Sequence, residues 1–444
     1  MFMIPIVADD LNSGTMVDSS CLYTAAWIMT VVFASALTIG TILKVWLSIR
    51  QIRHVATHRN EVPPAFSPIV PLHAHKKAAD YTIAKTRAGL LELTASFIVL
   101  VAWTLLGGLS VLNSALLQWL GAGMIQQIAL AVSFVLISGV LDLPLTLYQT
   151  FVVEERFGFN KMTVGLWLAD LGKTLLIGAI IGLPITALIL WMMGAAGSLW
   201  WLWAWLVWMG FNLSLFLIYP SFIAPMFNRF TPLEDESLKA RVTALMERCG
   251  FAANGIFVMD GSRRSAHANA YFTGFGASKR VVFFDTLLAR LSGAEVDAVL
   301  AHELGHFSHR HIVKRIIMMF TLSLLCFSLV GWLASQAWFY QGLGVLPNLN
   351  APNDALALLL FMLSLPVFSF FFSPILAAMS RQHEFEADDY AVAKSSGQDL
   401  TTALLTLYED NASTLTPDRI YARVHYSHPP ASERLARIAA QTGL

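Results

Sequence analysis

Apolar runs of about 20 residues alternate with shorter polar segments along most of this 444-residue chain. Such a run is long enough to cross a bilayer as an α-helix, so the pattern predicts a polytopic membrane protein that is mostly α-helical. Seven spans are predicted, at Leu22–Leu47, Leu93–Leu117, Ile125–Leu147, Leu175–Met193, Leu199–Ile218, Ile316–Phe339 and Ala355–Ala378. Asp142 and Pro144 interrupt the third span and Pro184 the fourth, so any error in the count is expected there.

The basic residues in the connections between these spans indicate an orientation. The N-terminal tail 1–20 and the connections 118–124, 194–199 and 340–354 contain no Lys or Arg. The connection 48–92, in contrast, carries Arg50, Arg53, Arg59, Lys76, Lys77, Lys85 and Arg87. Because basic loops stay on the cytoplasmic side, the N-terminus is expected outside and the segments after spans one, three, five and seven inside.

Two long polar segments are therefore expected on the cytosolic side. One is an insert long enough for a small α/β unit and the other is the C-terminal part, which divides the chain into 1–227, 228–315, 316–378 and 379–444. Strands are predicted at Gly255–Met259, Ala270–Phe272 and Val281–Phe284, the last two pairing across a turn at 274–279. Helices are predicted at Glu295–His311, beginning near Ser292 or Gly293, and at Gln382–Ser395 and Ser432–Ala440.

The composition agrees with a membrane protein, because 56% of the residues are hydrophobic and only 13% are charged, against about 25% charged residues in soluble domains. The formal net charge is zero, which gives no support for nucleic-acid binding. The apolar runs make the lipid bilayer the predicted partner. Cys21, Cys249 and Cys326 lie far apart and suggest neither a disulfide framework nor a cysteine-based zinc site. The first apolar run follows no basic segment, so a permanent anchor is expected rather than a cleaved signal peptide.

The segment His302-Glu303-Leu304-Gly305-His306 falls in the predicted helix before span six. Residues four apart share one face of an α-helix, so His302 and His306 can both direct a ring nitrogen at one metal ion. Glu303 lies beside them, where a carboxylate can accept a proton from water at the metal. This spacing is typical of zinc metallopeptidases, whose zinc usually has three protein ligands and a water.

The third ligand has to come from elsewhere in the chain. The metzincin pattern needs Gly at position 309 and His at position 312, where this chain has His309 and Ile312. His309 and His311 are further along the helix axis than His306, away from the metal. They are interpreted as polar residues at a helix end that enters the membrane.

A better candidate follows the last span, in the segment Glu384-Phe385-Glu386-Ala387-Asp388. Glu384 and Asp388 share one helix face, whereas Glu386 points roughly the other way. One of the two carboxylates can bind the metal while the other accepts the second N–H of a ligand histidine. His383 and Glu386 are the competing ligands.

These motifs resemble those of the type I CAAX prenyl protease family, membrane-embedded gluzincins with His-Glu-x-x-His and, far downstream, Glu-Phe-x-Ala-Asp. The match covers most of the chain. It includes the stretches Glu155–Asn160, Tyr219–Asn228, His267–Phe272, Phe284–Leu287, Ser427–Pro430 and Glu433–Leu435. The resemblance implies seven helices that enclose an intramembrane chamber, with a small cytosolic α/β gluzincin-like catalytic insert and the metal site at the cytosolic end of the chamber.

The resemblance also implies a zinc metalloendopeptidase with one Zn²⁺ per chain, held by His302, His306 and Glu384. Glu303 is the expected base, and His428 is the expected donor to the negative charge that develops on the substrate oxygen, with Arg434 nearby. Asp388 is expected behind the ligands, with a proton-donor role left open.

Asn269 and Ala270 are expected in an edge strand that binds an extended peptide substrate, and Arg434 is expected to bind substrate with them. Glu155, Phe157 and Asn160 are interpreted as structural residues of the loop between spans three and four.

The expected reaction is cleavage near the C-terminus of CAAX-type, prenylated proteins or peptides on the cytosolic side. One alternative is a bacterial quality-control protease for misfolded or jammed membrane proteins, with the same fold and zinc site. An inactive membrane scaffold is a remote alternative. The compact loops and the final residues Gln441–Leu444, which lack a dilysine signal, favour a bacterial inner membrane, with the endoplasmic reticulum as the expectation for a eukaryote.

Overall fold

The computed structural model describes residues 15–251, 255–273, 280–348 and 351–443, which are mostly helical, as predicted. The α-helices are α1 (Thr15–Thr57), α2 (Leu72–Trp103), α3 (Gly108–Leu120), α4 (Met124–Tyr148), α5 (Val164–Ile177), α6 (Leu183–Ala195), α7 (Trp200–Ile218), α8 (Ala224–Phe227), α9 (Glu236–Arg248), α10 (Asp285–Leu288), α11 (Gly293–Ser308), α12 (His311–Leu333), α13 (Ala337–Gly342), α14 (Asp354–Ser369), α15 (Ser373–Lys394), α16 (Gly397–Asp410), α17 (Arg419–His425) and α18 (Ala431–Thr442). The strands are β1 (Phe230–Pro232), β2 (Ile256–Met259), β3 (Ala270–Thr273) and β4 (Arg280–Phe284).

Among the described residues, seven helical segments are long and apolar enough to cross a membrane, which confirms the predicted number. They are Leu22–Thr57, Leu72–Trp103, Met124–Glu154, Val164–Ala195, Gly197–Phe227, His311–Leu333 and Asp354–Lys394. Most extend beyond the predicted apolar runs, because a helix continues past the apolar stretch into the polar residues at its ends.

The second span differs most from its prediction at Leu93–Leu117. Its helix, α2, begins at Leu72 and ends at Trp103, and the chain then turns at Gly107, whose φ is 77°. At Gly108 a Cβ would lie 2.5 Å from the carbonyl oxygen of Ala102, so the turn depends on glycine. Hydropathy does not detect such a reversal inside an apolar run.

Spans three and four are helical in spite of their prolines. Pro144 lies inside α4, which continues into a π-helical turn at Gln149–Glu154. Pro184 is the second residue of α6, directly after another π-helical turn at Gly178–Gly182. Adjustments of this kind supply partners for the backbone groups that a proline leaves unpaired in a membrane helix.

The last span is continuous with the helix that carries Glu384. A 3-10 turn at Phe370–Phe372 joins α14 to α15, so the predicted separate helix Gln382–Ser395 is wrong in its beginning, and the predicted boundary between residues 378 and 379 falls inside α15. The predicted helix Glu295–His311 is wrong in its end. The structure stops α11 at Ser308 and begins α12 at His311.

The membrane spans pack loosely against one another. In the most apolar window of each of spans two to six, between 0% and 11% of the residues are buried, against 44% in span seven. Apolar side chains that are exposed on a membrane helix face lipid or an internal space, so this low burial fits both a lipid-facing surface and the chamber that the resemblance implies.

The strands form one sheet in the order β1-β2-β4-β3. β3 and β4 are antiparallel, as predicted, whereas β2 and β4 are parallel and β1 was not predicted. The predicted turn at 274–279 lies outside the described residues. One face of the sheet, including Val281 and Phe283, packs on α9 and α11 through Leu245 and Leu300. This core holds α11 beneath the edge strand β3.

Candidate active site

A capping box sets the start of helix α11. The Ser292 hydroxyl oxygen accepts a hydrogen bond from the Glu295 amide, and the Glu295 carboxylate accepts one from the Ser292 amide at 2.7 Å. The predicted beginning near Ser292 is therefore confirmed. Ten and fourteen residues further along the chain, His302 and His306 lie on the helix face that packs against α15.

Gly305 allows α11 and α15 to approach closely. A Cβ at this position would lie 2.9 Å from the Ala387 Cα atom and 3.1 Å from the Tyr390 Cβ atom. Both are closer than normal van der Waals contacts, so any larger residue would push the helices apart. The glycine of the His-Glu-Leu-Gly-His segment therefore has a packing role, which brings Glu384 beside the two histidines.

The side chains of His302, His306 and Glu384 offer three ligand atoms that all lie within 4.8 Å of one another. The Nε2 atoms of His302 and His306 each lie 3.5 Å from a different oxygen of Glu384. Zinc bonds of about 2.0–2.1 Å at tetrahedral angles separate ligand atoms by about 3.4 Å. The spacing and the donor types therefore fit one tetrahedral metal ion.

His302 is held from behind by a buried ion pair. Its Nδ1 atom lies 2.9 Å from Asp388 Oδ1, and Arg434 donates to both oxygens of Asp388 at 2.8 and 2.6 Å. Burial alone would lower the pKa of His302, but hydrogen bonds with Asp388 and Glu384 raise it to about 9. The carboxylates of Asp388 and Glu384 thus make the surroundings of His302 negative, which also favours a bound metal cation.

Arg434 contacts Asp388 behind His302 and also lines the cavity beside the metal ligands. Only 8% of its side chain is exposed, and its guanidinium is bound to Asp388. These contacts support a role in orienting Asp388, and the expected substrate-binding role of Arg434 stays a prediction. Asp388, with 1% of its side chain exposed, is not among the described residues that line this cavity.

The other histidine, His306, has a different neighbour, His311. The two Nδ1 atoms lie 3.0 Å apart, and the Nε2 atom of His311 lies 2.8 Å from Glu386 Oε2. Burial lowers the pKa of His306 to about 4, and the nearby His302 acts in the same direction. His306 is therefore neutral near pH 7, which is the form that binds metals.

The interpretation of His311 as a polar residue at a helix end missed this contact. Arg310 takes the left-handed conformation, with φ of 57°, which separates α11 from α12 and turns His311 back toward His306. For a residue other than glycine this conformation costs about 1–2 kcal/mol. A continuous helix would have placed His311 away from the site, and no local sequence signal marks the break.

Glu303 lines a cavity of about 970 Å³ on the open side of the site, together with His302 and Glu384. Burial raises the pKa of the Glu303 carboxyl. A higher pKa makes a carboxylate a stronger base toward water near neutral pH.

His428 lies on the same side of the site. Its Nε2 atom is 3.4 Å from Glu384 Oε1, and 63% of its side chain is exposed to the cavity. Tyr408 donates a hydrogen bond to the carbonyl of Pro429, which holds the loop that presents His428. His425 also lines the cavity, but its ring packs on Tyr421, with 4.6 Å between centroids.

The predicted substrate residues Asn269 and Ala270 also line the cavity. Ala270 begins β3, which is one of the two edge strands of the sheet, as predicted. The Asn269 carbonyl accepts a hydrogen bond from the Phe284 amide, while the Ala270 amide donates to the Asn269 side chain at 2.8 Å. The inner side of this segment is therefore paired with β4. The outward N–H of Ala270 is hydrogen-bonded to the Asn269 side chain.

Membrane helices supply the opposite wall of the cavity, which the sequence reasoning did not assign. Tyr81 of α2 donates to Glu154 at 2.7 Å, and the Glu154 carboxylate lies 3.6 Å from His267 Nε2. The Nδ1 atom of His267 is 3.2 Å from the side-chain oxygen of Asn411. These contacts join the membrane spans to the catalytic part beside the edge strand.

The loop after span three supports this wall. Asn160 donates to Glu155 at 3.0 Å, and the Phe159 ring stacks on His267 at 4.3 Å between centroids. Phe157 packs on Tyr81 at 5.1 Å. The structural interpretation of Glu155, Phe157 and Asn160 agrees with these contacts.

Two family models match nearly the whole chain. Residues 51–229 match the model of the CAAX prenyl protease N-terminal region with five membrane helices, and residues 232–442 match the model of peptidase family M48. Relatives include CAAX prenyl protease 1 of Saccharomyces cerevisiae, 40% identical over 68% of this chain and 69% of the relative. The human CAAX prenyl protease 1 homolog is 32% identical over 87% of this chain and 90% of the relative.

A solved structure has the same fold. The crystal structure of S. mikatae Ste24p superimposes with a TM-score of 0.86 at 31% identity, covering 92% of this chain and 99% of that one. The membrane spans, the paired histidines with their carboxylate and these similarities lead to one conclusion. The chain belongs to peptidase family M48 and, within it, to the CAAX prenyl protease 1 group of membrane metalloendopeptidases.

Proposed function

We propose that this protein is a zinc endopeptidase that cleaves prenylated CAAX proteins near their C-terminus, on the cytosolic side of the membrane. The observation that carries the proposal is the position of His302, His306, Glu384 and Glu303. The ligand atoms of His302, His306 and Glu384 lie within 4.8 Å of one another, and His302, Glu384 and Glu303 line a cavity of about 970 Å³ that also reaches Ala270 of the edge strand and Tyr81 of α2. CAAX prenyl protease 1 proteins of yeast and human share the family and the chain organisation.

His302, His306 and Glu384 would hold the zinc ion, which supplies a water of lowered pKa and polarises the scissile carbonyl when bound. Glu303 accepts the proton of the attacking water and returns it to the leaving amine. The raised pKa of its carboxyl suits both steps. Asp388 and Arg434 hold the His302 ring in one orientation from behind.

His428 donates a hydrogen bond to the substrate oxygen as negative charge develops on it. Its position beside Glu384 and its exposure to the cavity support this role. The substrate peptide extends along β3, because an edge strand recognises a main chain whatever its side chains are. The Asn269 side chain must then release the Ala270 amide for pairing with the substrate.

The prenyl group would lie among the loosely packed membrane spans. A farnesyl or geranylgeranyl chain is apolar, and a hydrolytic site must contain water while remaining accessible from the bilayer. The quality-control alternative needs the same fold and metal, and the two differ only in whether the lipid improves cleavage. The scaffold alternative is disfavoured because the residues that the chemistry needs come together in space.

The proposal is tested with purified protein, its zinc content and two peptides of one CAAX sequence, one farnesylated and one unmodified. We expect one zinc per chain and more efficient cleavage of the farnesylated peptide. Glu384→Ala should lose most of the zinc, whereas Asp389→Ala should keep it, because Asp389 pairs with Arg437 on the outer side of α15. Equal cleavage of both peptides would favour the quality-control alternative, and an absence of zinc in the native protein would refute the proposal.

The cytosolic orientation is proposed from the basic connections alone. In intact cells, a cysteine placed at Ser13 or Asn348 should react with a reagent that does not cross the membrane, and one at Lys76 should not. Ser13 lies outside the described residues. Labelling of the cysteine at position 76 would mean that the orientation is the opposite of the one proposed. The preference for a bacterial inner membrane stays a prediction, and the relatives named above are eukaryotic.

A further inference from the structure

The Nδ1 atoms of the two site histidines have different hydrogen-bond partners. Only the Nδ1 atom of His302 contacts a carboxylate directly. His302 contacts Asp388, whereas His306 contacts a second imidazole, His311, which in turn contacts Glu386. His311 is almost fully buried, with 5% of its side chain exposed. Its ring also stacks on His383, with 4.0 Å between centroids and 15° between ring planes.

The atoms in contact determine where the protons lie. A histidine that binds a metal through Nε2 carries its proton on Nδ1, so His306 donates and the Nδ1 atom of His311 accepts. His311 then carries its own proton on Nε2 and donates it to Glu386. Each hydrogen bond has one donor and one acceptor, with both rings neutral and the carboxylate charged.

Glu386, the carboxylate at the end of this row of hydrogen bonds, is itself held in place. Gln382, one helical turn before Glu386 on α15, donates to Glu386 Oε1 at 3.2 Å, which leaves Oε2 for His311. The left-handed Arg310 brings His311 to this side. Two separate elements, α12 and α15, therefore meet at His306 through these polar contacts, and α15 also carries Glu384.

We propose that His311 and Glu386 are positioning residues for the metal: they fix the His306 ring in the tautomer that presents Nε2 to the ion. The inference rests on the proposed zinc site and deepens it. The pair does for His306 what Asp388 and Arg434 do for His302, through an additional imidazole. His311 and Glu386 thus set how tightly the protein holds zinc, without touching the substrate.

The test measures zinc affinity by competition with a chromogenic chelator, on full-length protein in detergent, together with the absorption spectrum of the cobalt-substituted form. His311→Phe keeps a buried ring but cannot accept or donate, and we expect it to lower zinc affinity about 10–100-fold, as loss of other hydrogen-bond partners of metal ligands does. The cobalt spectrum should change, because the freed His306 ring alters the geometry. His311→Gln should restore most of the affinity, since an amide can accept from His306 and donate to Glu386.

A second pair of variants tests Glu386, the last group in this row of hydrogen bonds. Glu386→Gln retains an acceptor for His311 and should cost less affinity than Glu386→Leu, which removes the acceptor. His309→Phe is the matched control, because His309 is exposed and its ring also stacks on His311, at 5.6 Å between centroids. We expect its zinc affinity and cobalt spectrum to equal those of the native protein.

Three results would overturn the proposal. His311→Phe could bind zinc as tightly as the native protein, with an unchanged cobalt spectrum. His311→Gln could lose as much affinity as His311→Phe, or His309→Phe could be equally damaging, and either would reduce His311 to a packing residue. Failure of the native protein to bind zinc is a different result, since it refutes the proposed function itself.

Discussion

The membrane spans and the catalytic part of this protein differ sharply in how they are packed. In spans two to six the most apolar windows are at most 11% buried, and large side chains such as Trp203 and Leu217 are half exposed or more. In α11, by contrast, eight residues are buried, including the ligand candidate His302. Gly305 in that helix has no room even for a methyl group.

The difference in packing follows from what each part has to do. A metal site needs its ligands held within fractions of an ångström, which a densely packed core and paired polar groups provide. The spans have to cross the bilayer, where lipid can cover the apolar side chains that face outward. The two parts meet through polar contacts such as that of Glu154 with His267, and through α15, which belongs to both.

The largest expected effect is on kcat, and it distinguishes Glu303 in the catalytic part from Asp142 in the membrane spans. Glu303→Ala should reduce kcat by about 10²–10⁴-fold while zinc is retained, because it removes the base and not a ligand. Asp142→Ala, in span three, should change kcat little. Asp142 is on an exposed helix face and is not among the described residues that line the cavity. Peptide hydrolysis and zinc content measure both. A loss from Asp142→Ala as large as that from Glu303→Ala would mean that the spans take part in the chemistry.

The next effect separates two histidines that line the same cavity. His428→Ala should lower kcat by roughly 10²–10³-fold, the effect of removing one donor to a developing negative charge, with zinc content and KM nearly unchanged. His425→Ala should cost little, because its ring packs on Tyr421 and not beside Glu384. If His425→Ala is the damaging change, the roles are exchanged. A rise in KM with kcat unchanged for His428→Ala would instead assign this residue to substrate binding.

The smallest effect compares two helical glycines. Gly305→Ala should destabilise the protein by about 1–3 kcal/mol and weaken zinc binding, because the new methyl group forces α11 away from α15. Gly210→Ala, in α7, should be neutral or stabilising by up to about 1 kcal/mol, since a Cβ there meets nothing within 4 Å. Thermal unfolding in detergent measures both changes. Similar destabilisation by the two substitutions would contradict the difference in packing.

The sequence alone determined the features that depend on residues close together in the chain. Seven apolar runs predicted the spans, a spacing of four placed His302 and His306 on one face, and Ser292 with Glu295 predicted the helix start. These follow from helix periodicity and from the cost of leaving backbone groups unpaired in lipid. The assignment of Glu384 over its neighbours came from resemblance and not from spacing.

Tertiary structure decided what depends on residues far apart or on single backbone angles. The turn at Gly107, the continuity of α14 with α15 and the left-handed Arg310 each change the path of the chain without changing its hydropathy. The contacts of His306 with His311 and of Asp388 with Arg434 exist only because separate helices pack together. Local patterns specify which face a residue occupies, but only the packed fold specifies which other residue lies opposite it.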